Sequence, residues 1–129
     1  MNPTPDLILT LPLPPSRNRE GSRHWAVGAR LHNTWAETAF ATWAAAGRKQ
    51  FAAVKIEPHF YLGRIRDDDN AIGGMAFKGI LDGLKGNLVP DDDPSHLALL
   101  PVRQEIVPER SRRLEVWVYR ESGKAPEGE

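Results

Sequence analysis

Val54-Lys55-Ile56-Glu57-Pro58-His59-Phe60-Tyr61-Leu62 alternates residue by residue between two kinds of side chain. Val54, Ile56, Phe60 and Leu62 take one face; Lys55, Glu57, His59 and Tyr61 take the other. A period of two with one apolar face predicts a strand, here running from Phe51 to Leu62, in a sheet buried on one side. Pro58 has no amide donor, which predicts a sheet edge or a bulge at that point. Further on the period changes. Ile72, Ala76, Ile80 and Leu84, widened by Met75 and Leu81, form a helical stripe over Ala71 to Leu84. Asn70 reads as its N-cap, and Gly83 or Gly86 as its end. Gly73-Gly74 weakens the first turn by about 1 kcal/mol per glycine relative to alanine, which favours a later start or a kink.

The chain around this centre supplies the remaining layers. Leu7 to Leu13 predicts a first strand, closed by Pro14-Pro15. Ala29 to Ala46 predicts a helix with Leu31, Trp35, Ala39 and Trp43 at i+4 and Phe40 beside them. At that spacing the aromatics are core side chains rather than a base-stacking platform. Gly47 stops the helix, and Arg48 and Lys49 suit its negative end. Pro94 to Leu99 predicts a short helical turn. Val102 to Val107 and Leu114 to Tyr119 predict a hairpin joined through Pro108-Glu109-Arg110-Ser111. The expected fold is α/β (α+β): a single compact domain over residues 1–120, with about four strands in a mixed sheet packed by two main helices. A flexible tail over residues 121–129 follows.

A length of 129 residues suits one domain with a substantial core. There is no cysteine, so disulfides and thiolate metal sites are excluded, and a reducing, cytoplasmic setting fits. The apolar run Leu7 to Leu13 has no basic residue ahead of it and is broken by prolines. It reads as neither a signal peptide nor a membrane span. The zero net charge hides a segregation. Residues 1–120 hold 16 Lys/Arg and 14 Asp/Glu, and six of those acids sit in two triplets. With the triplets neutralised by a cation, the remaining surface is basic, and its arginines either suit phosphate or simply solvate the surface.

Those triplets, Asp67-Asp68-Asp69 and Asp91-Asp92-Asp93, flank the predicted central helix. Like charges in two short runs repel; one triplet alone reads as a solvated turn, but two flanking one helix read as ligands for a divalent cation. In an extended loop Asp67 and Asp69 point the same way. Two hard oxygen donors suit Mg²⁺, with Mn²⁺ as a substitute, and the second triplet supplies a third carboxylate if the chain doubles back. Such an ion polarises a phosphodiester and activates a water. The spacing does not fit an EF-hand loop, and no Walker-type loop or His-Glu-x-x-His is present. Around the triplets, Arg64 and Arg66 are available to phosphates. Ser16-Arg17-Asn18-Arg19 is either a further phosphate contact or an ordinary surface turn.

Leu11-Pro12-Leu13-Pro14-Pro15-Ser16-Arg17-Asn18, then Arg64-Ile65-Arg66-Asp67-Asp68-Asp69-Asn70, then Lys78 with Asp82 and Leu84, then Asp91-Asp92 together resemble the RusA family. These are Holliday junction resolvases, often carried by phages and prophages. The resemblance covers about residues 7 to 120, with the motifs in family order. It implies a homodimer that binds branched DNA and uses Mg²⁺ to cut four-way junctions at symmetric positions, cytoplasmic and nucleoid-associated when bound. It also implies that Asp67, Asp69 and Asp92 ligate the metal, that Lys78 faces the scissile phosphate, and that Arg17, Arg19, Arg64 and Arg66 contact DNA. Seven residues separate Asn70 from Lys78, where some members have two. Five more helical residues would turn a side chain by about 140° and shift it by about 7.5 Å, so Lys78 reaches the site only if Gly73-Gly74 is not helical. Two other readings use the same residues: a junction-binding protein without turnover, and a small acidic module that binds divalent ions without DNA.

Overall fold

The computed structural model describes residues 4–16 and 25–121. In chain order these form β1 (Leu7–Leu11), α1 (Trp25–Ala45), β2 (Val54–Leu62), α2 (Asp68–Ile72), α3 (Met75–Leu84), β3 (Leu97–Leu99), β4 (Arg103–Ile106) and β5 (Arg113–Arg120). A 3-10 turn at Glu109–Ser111 leads into β5. The five strands make one mixed sheet with two main helices on it, in a single compact α+β domain. Strand β5 runs antiparallel between β1 and β2, while β3 and β4 both lie parallel along the other side of β2.

Strand β2 is therefore central, not an edge, and Pro58 is accommodated by a gap. β3 pairs with Val54–Ile56 and β4 with His59–Leu62, leaving Glu57 and Pro58 unpaired on that side. The Val54 amide donates to His96 on the β3 side. Backbone direction repeats every second residue, so the nitrogen of Pro58 faces the gap, where no donor is needed. The expected hairpin between Val102–Val107 and Leu114–Tyr119 does not form, because β2 lies between β4 and β5. Leu97–Leu99, expected in a helical turn, forms β3 instead, one strand more than expected.

The apolar positions of the alternation meet the helices. Val54, Ile56, Phe60 and Leu62 of β2, Leu114, Val116 and Val118 of β5, and Leu9 and Leu11 of β1 are all buried. Ala39 and Trp43 of α1 and Phe77, Ile80 and Leu84 of α3 pack on them. Helix α1 begins at Trp25, four residues before the expected Ala29. At its other end Gly47 (φ 108°) and Arg48 (φ 56°) turn left-handed, and the Trp43 indole N–H donates to the Lys49 carbonyl at 2.7 Å.

The segment Ala71 to Leu84 is not one helix. It breaks at Gly73-Gly74, and Asn70 lies inside α2 instead of capping the longer helix. Two further glycines explain how α1 and α3 come together. A Cβ on Gly79 would collide with the His32 carbonyl, and one on Gly83 with the Ala36 carbonyl. The helix backbones meet there directly, at i and i+4 on both, and a His32–Asp82 hydrogen bond of 2.6 Å bridges the seam. Among the described residues no helix is long and apolar enough to cross a membrane.

Candidate functional site

The chain leaves β2 at Leu62 and is fixed again at Arg66. The Arg66 amide donates to Gln104 Oε1 at 2.8 Å, and Gln104 Nε2 donates to the Arg66 carbonyl at 2.6 Å. The Arg66 guanidinium donates from Nη1 to the Pro14 carbonyl at 3.0 Å and lies 5.9 Å from the Phe60 ring centre. One residue thus ties β4, the segment after β1 and the start of the first acidic triplet together. Pro14 and Ser16 are buried beside it. Arg17 and Arg19 lie outside the described residues, and Arg64 is exposed.

Asp67 follows Arg66 and is exposed; its carbonyl accepts from the Ala71 amide at 2.9 Å, the first bond of α2. The backbone of Asp68 and Asp69 belongs to that helix, while their side chains lie outside the described part. The extended alternation expected of Asp67 and Asp69 is therefore not adopted. Once the chain turns helical, successive side chains step by about 100° instead of 180°. The Gly73-Gly74 break meets the local condition that the seven-residue spacing set for Lys78, which is exposed early in α3.

In the second triplet the three carboxylates differ. The Lys85 ammonium lies 3.8 Å from Asp91 Oδ1 and 3.9 Å from Asp92 Oδ1. Asp93 instead turns back on its own segment, accepting from the Ser95 amide and hydroxyl and bonding His96 Nδ1 at 2.9 Å. The Ser95 hydroxyl, helped by His96, holds the Asp93 carboxyl below its ordinary value. Asp93 is thus committed to its turn; Asp91 Oδ1 also accepts from the Asp92 amide at 2.7 Å, and Asp91 and Asp92 both lie near the Lys85 ammonium. Among the described residues no three histidine or carboxylate side chains converge into a metal-ligating group. The candidate set of Asp67, Asp69 and Asp92 contains only hard carboxylate oxygens, the donor type that suits Mg²⁺.

A second cluster of ionisable groups occupies the opposite, open face of the sheet. Glu57 bonds His59 at 2.7 Å and Arg103 at 3.4 Å; Glu115 accepts from Tyr61, Trp117 and Arg113 at 3.2, 2.9 and 2.8 Å. Burial pushes the Glu57 carboxyl up, but His59 and Arg103 outweigh it, and the group lies below its ordinary 4.5. Burial likewise raises Glu115, and Trp117, Arg113 and Tyr61 bring it below 4.5. A depressed carboxyl stabilises the fold above its unfolded value, and that contribution disappears as pH falls through the folded value. Stability is accordingly expected to decline as pH falls below 4.5. Urea titrations should show a shallower decline in a Glu57→Gln/Glu115→Gln double variant, which starts from a lower stability at neutral pH.

Comparison with known protein families and with curated proteins finds no match. The site must be read from its own chemistry. Sequence reasoning missed the Gln104 clasp, the Lys85 ammonium near two aspartates, and the pairing of His32, His59 and His96 with carboxylates. His59–Glu57 and His96–Asp93 are close enough in sequence to suggest themselves. His32–Asp82 spans 50 residues and carries no local signal.

Proposed function

We propose that this chain is a magnesium-dependent endodeoxyribonuclease of RusA type that, as a homodimer, resolves four-way DNA junctions by paired cuts. The observation that carries the reading is the Arg66–Pro14 hydrogen bond. It joins two segments 52 residues apart, and these are the segments that bear the Pro-Pro-Ser and Asp-x-Asp-Asn motifs. The Lys85 ammonium near Asp91 and Asp92 supports it, as does the exposure of Asp67 and Asp92.

In this reading Asp67, Asp69 and Asp92 hold Mg²⁺, or Mn²⁺ in its place. When bound, the ion supplies Lewis-acid activation of the phosphodiester and of the attacking water. The protein's own groups position the DNA. Arg17, Arg19 and Arg64 hold backbone phosphates, which fixes register without reading sequence. Lys78 places an ammonium against the phosphate to be cut, while Arg66 braces the acidic loop from behind. Lys85 balances Asp91 and Asp92 until the metal and DNA arrive.

The test is a synthetic four-way junction incubated with the protein, with and without Mg²⁺, beside Asp69→Asn. Paired nicks that require metal are expected, with none from the variant. A junction that is shifted in gels but intact in every lane would make the protein a binder without turnover. Absence of any shift would leave only divalent-ion binding.

A further inference from the structure

Helices α1 and α3 cover one face of the sheet, and no described element covers the other. Its centre is Lys55, Glu57, His59 and Tyr61 of β2 beside Arg113, Glu115, Trp117 and Tyr119 of β5, with Arg103 and Glu105 of β4 at one margin and Ile8 of β1 at the other. We propose that this face is the surface through which two copies of the chain associate.

Charge decides the kind of partner. Lys55, Arg103, Arg113 and Arg120 stand among Glu57, Glu105, Glu115, Asp6 and Glu121, so the face mixes four cations with five anions. A polyanion gains little from such a surface, because its affinity depends on releasing counterions to an excess of cations. A two-fold interface sets a patch against itself, and a patch of one sign would repel its copy. A near-even mixture is the charge pattern that a second copy complements.

The side chains suit burial. Tyr61, Trp117, Tyr119 and Arg113 belong to the residue types that anchor interfaces. They are already ordered: the Arg113 guanidinium lies 3.9 Å from the Tyr61 ring centre, and His59 stacks on Trp117 at 3.9 Å and 14°. Ordering before contact lowers the entropy lost on association. Glu57 and Glu115 have donors within their own chain, so covering them strands no charge. Ile8, 42% exposed, extends the patch with apolar surface. Nine residues of β2 span about 30 Å and four strands about 19 Å, or roughly 600 Å² per copy. Two copies would cover about 1,200 Å², the lower end of specific interfaces.

The proposal locates the dimer of the nuclease reading and rests on that reading only for its stoichiometry of two. Sedimentation of the full chain of 14.4 kDa should give a species of twice that mass. In a two-fold interface each substitution counts twice, so Ile8→Arg and Lys55→Glu should each raise the dimer dissociation constant more than about tenfold. Far-ultraviolet circular dichroism should be unchanged in both. Glu37→Lys, on the exposed side of α1, should leave the dimer intact. A monomeric wild type at about 100 μM, a dimer that survives both face variants, or one lost in Glu37→Lys would each overturn the proposal. So would a monomer whose β5 amides exchange faster once residues 122–129 are removed, since the chain's own C-terminus would then be the cover. Junction nicking in the same samples separates the two ideas. A dimer without nicking leaves the interface and removes the nuclease; a nicking wild-type monomer does the reverse.

Discussion

Gly83→Leu is expected to abolish folding, and Gly83→Ala and Gly79→Ala to lower stability. Helices normally gain about 1 kcal/mol when an interior glycine becomes alanine. Here the new methyl group meets a backbone carbonyl of α1, at Ala36 for Gly83 and His32 for Gly79. A carbonyl cannot swing aside as a side-chain tip can, so α3 must move away from α1 and disturb Phe77, Ile80 and Leu84 in the core. Overpacking costs about 1–3 kcal/mol and exceeds the propensity gain. Each alanine variant should therefore melt several degrees below the wild type. Leucine adds three more carbons at the closest point of the seam, against a total stability of about 5–15 kcal/mol. Gly28→Ala supplies the contrast. It lies in α1, and its Cβ would meet only Met75 Cγ, at 3.7 Å. That is ordinary contact, so stability should rise by up to about 1 kcal/mol. Thermal melts of the four proteins check both signs.

Asp92→Asn and Asp67→Asn should each reduce metal-dependent nicking by more than about a hundredfold while the melting temperature stays within a degree or two. Loss of a group that merely supports a metal ligand costs about 10–100-fold, and loss of a ligand should exceed that. Both side chains are exposed, and the substitution preserves shape. Asp93→Asn should behave differently. Its carboxylate holds the Ser95 and His96 turn that leads into β3, so it should affect folding more than the metal requirement. Initial nicking rates against Mg²⁺ concentration discriminate them, since a lost ligand raises the concentration needed for half-maximal rate. Equal loss in Asp92→Asn and Asp93→Asn with an unchanged Mg²⁺ requirement would mean that the second triplet acts only through its turn.

Strand β2 was legible because its alternation is local and strict, and the two main helices because their apolar stripes recur at i+4. Strand neighbours were not. Pro108 to Ser111 is the right length for a hairpin, yet β4 and β5 pair with opposite sides of β2, a long-range choice with no local signal. Pro58 was misread for a related reason: a proline excludes a donor on one side only, and the sheet supplies a gap there. Gly79 and Gly83 have no distinctive local signature among eleven glycines; their role exists only once α1 lies across them. Within the site, the candidate acids were legible as types and as two groups. The separation of Asp93 from Asp91 and Asp92 was not, because it depends on what Ser95, His96 and Lys85 do in space.

The gap opposite Pro58 also governs how the protein behaves at high concentration. An open strand edge is a template for another chain, and long regular edges promote aggregation. Here one margin of the sheet is divided into three-residue β3 and four-residue β4, separated by Leu100-Pro101-Val102. The other margin, five-residue β1, runs directly into Pro12. Neither margin offers a long uninterrupted ladder to a stranger. Short, interrupted margins of this kind give a second chain little to extend into a fibre.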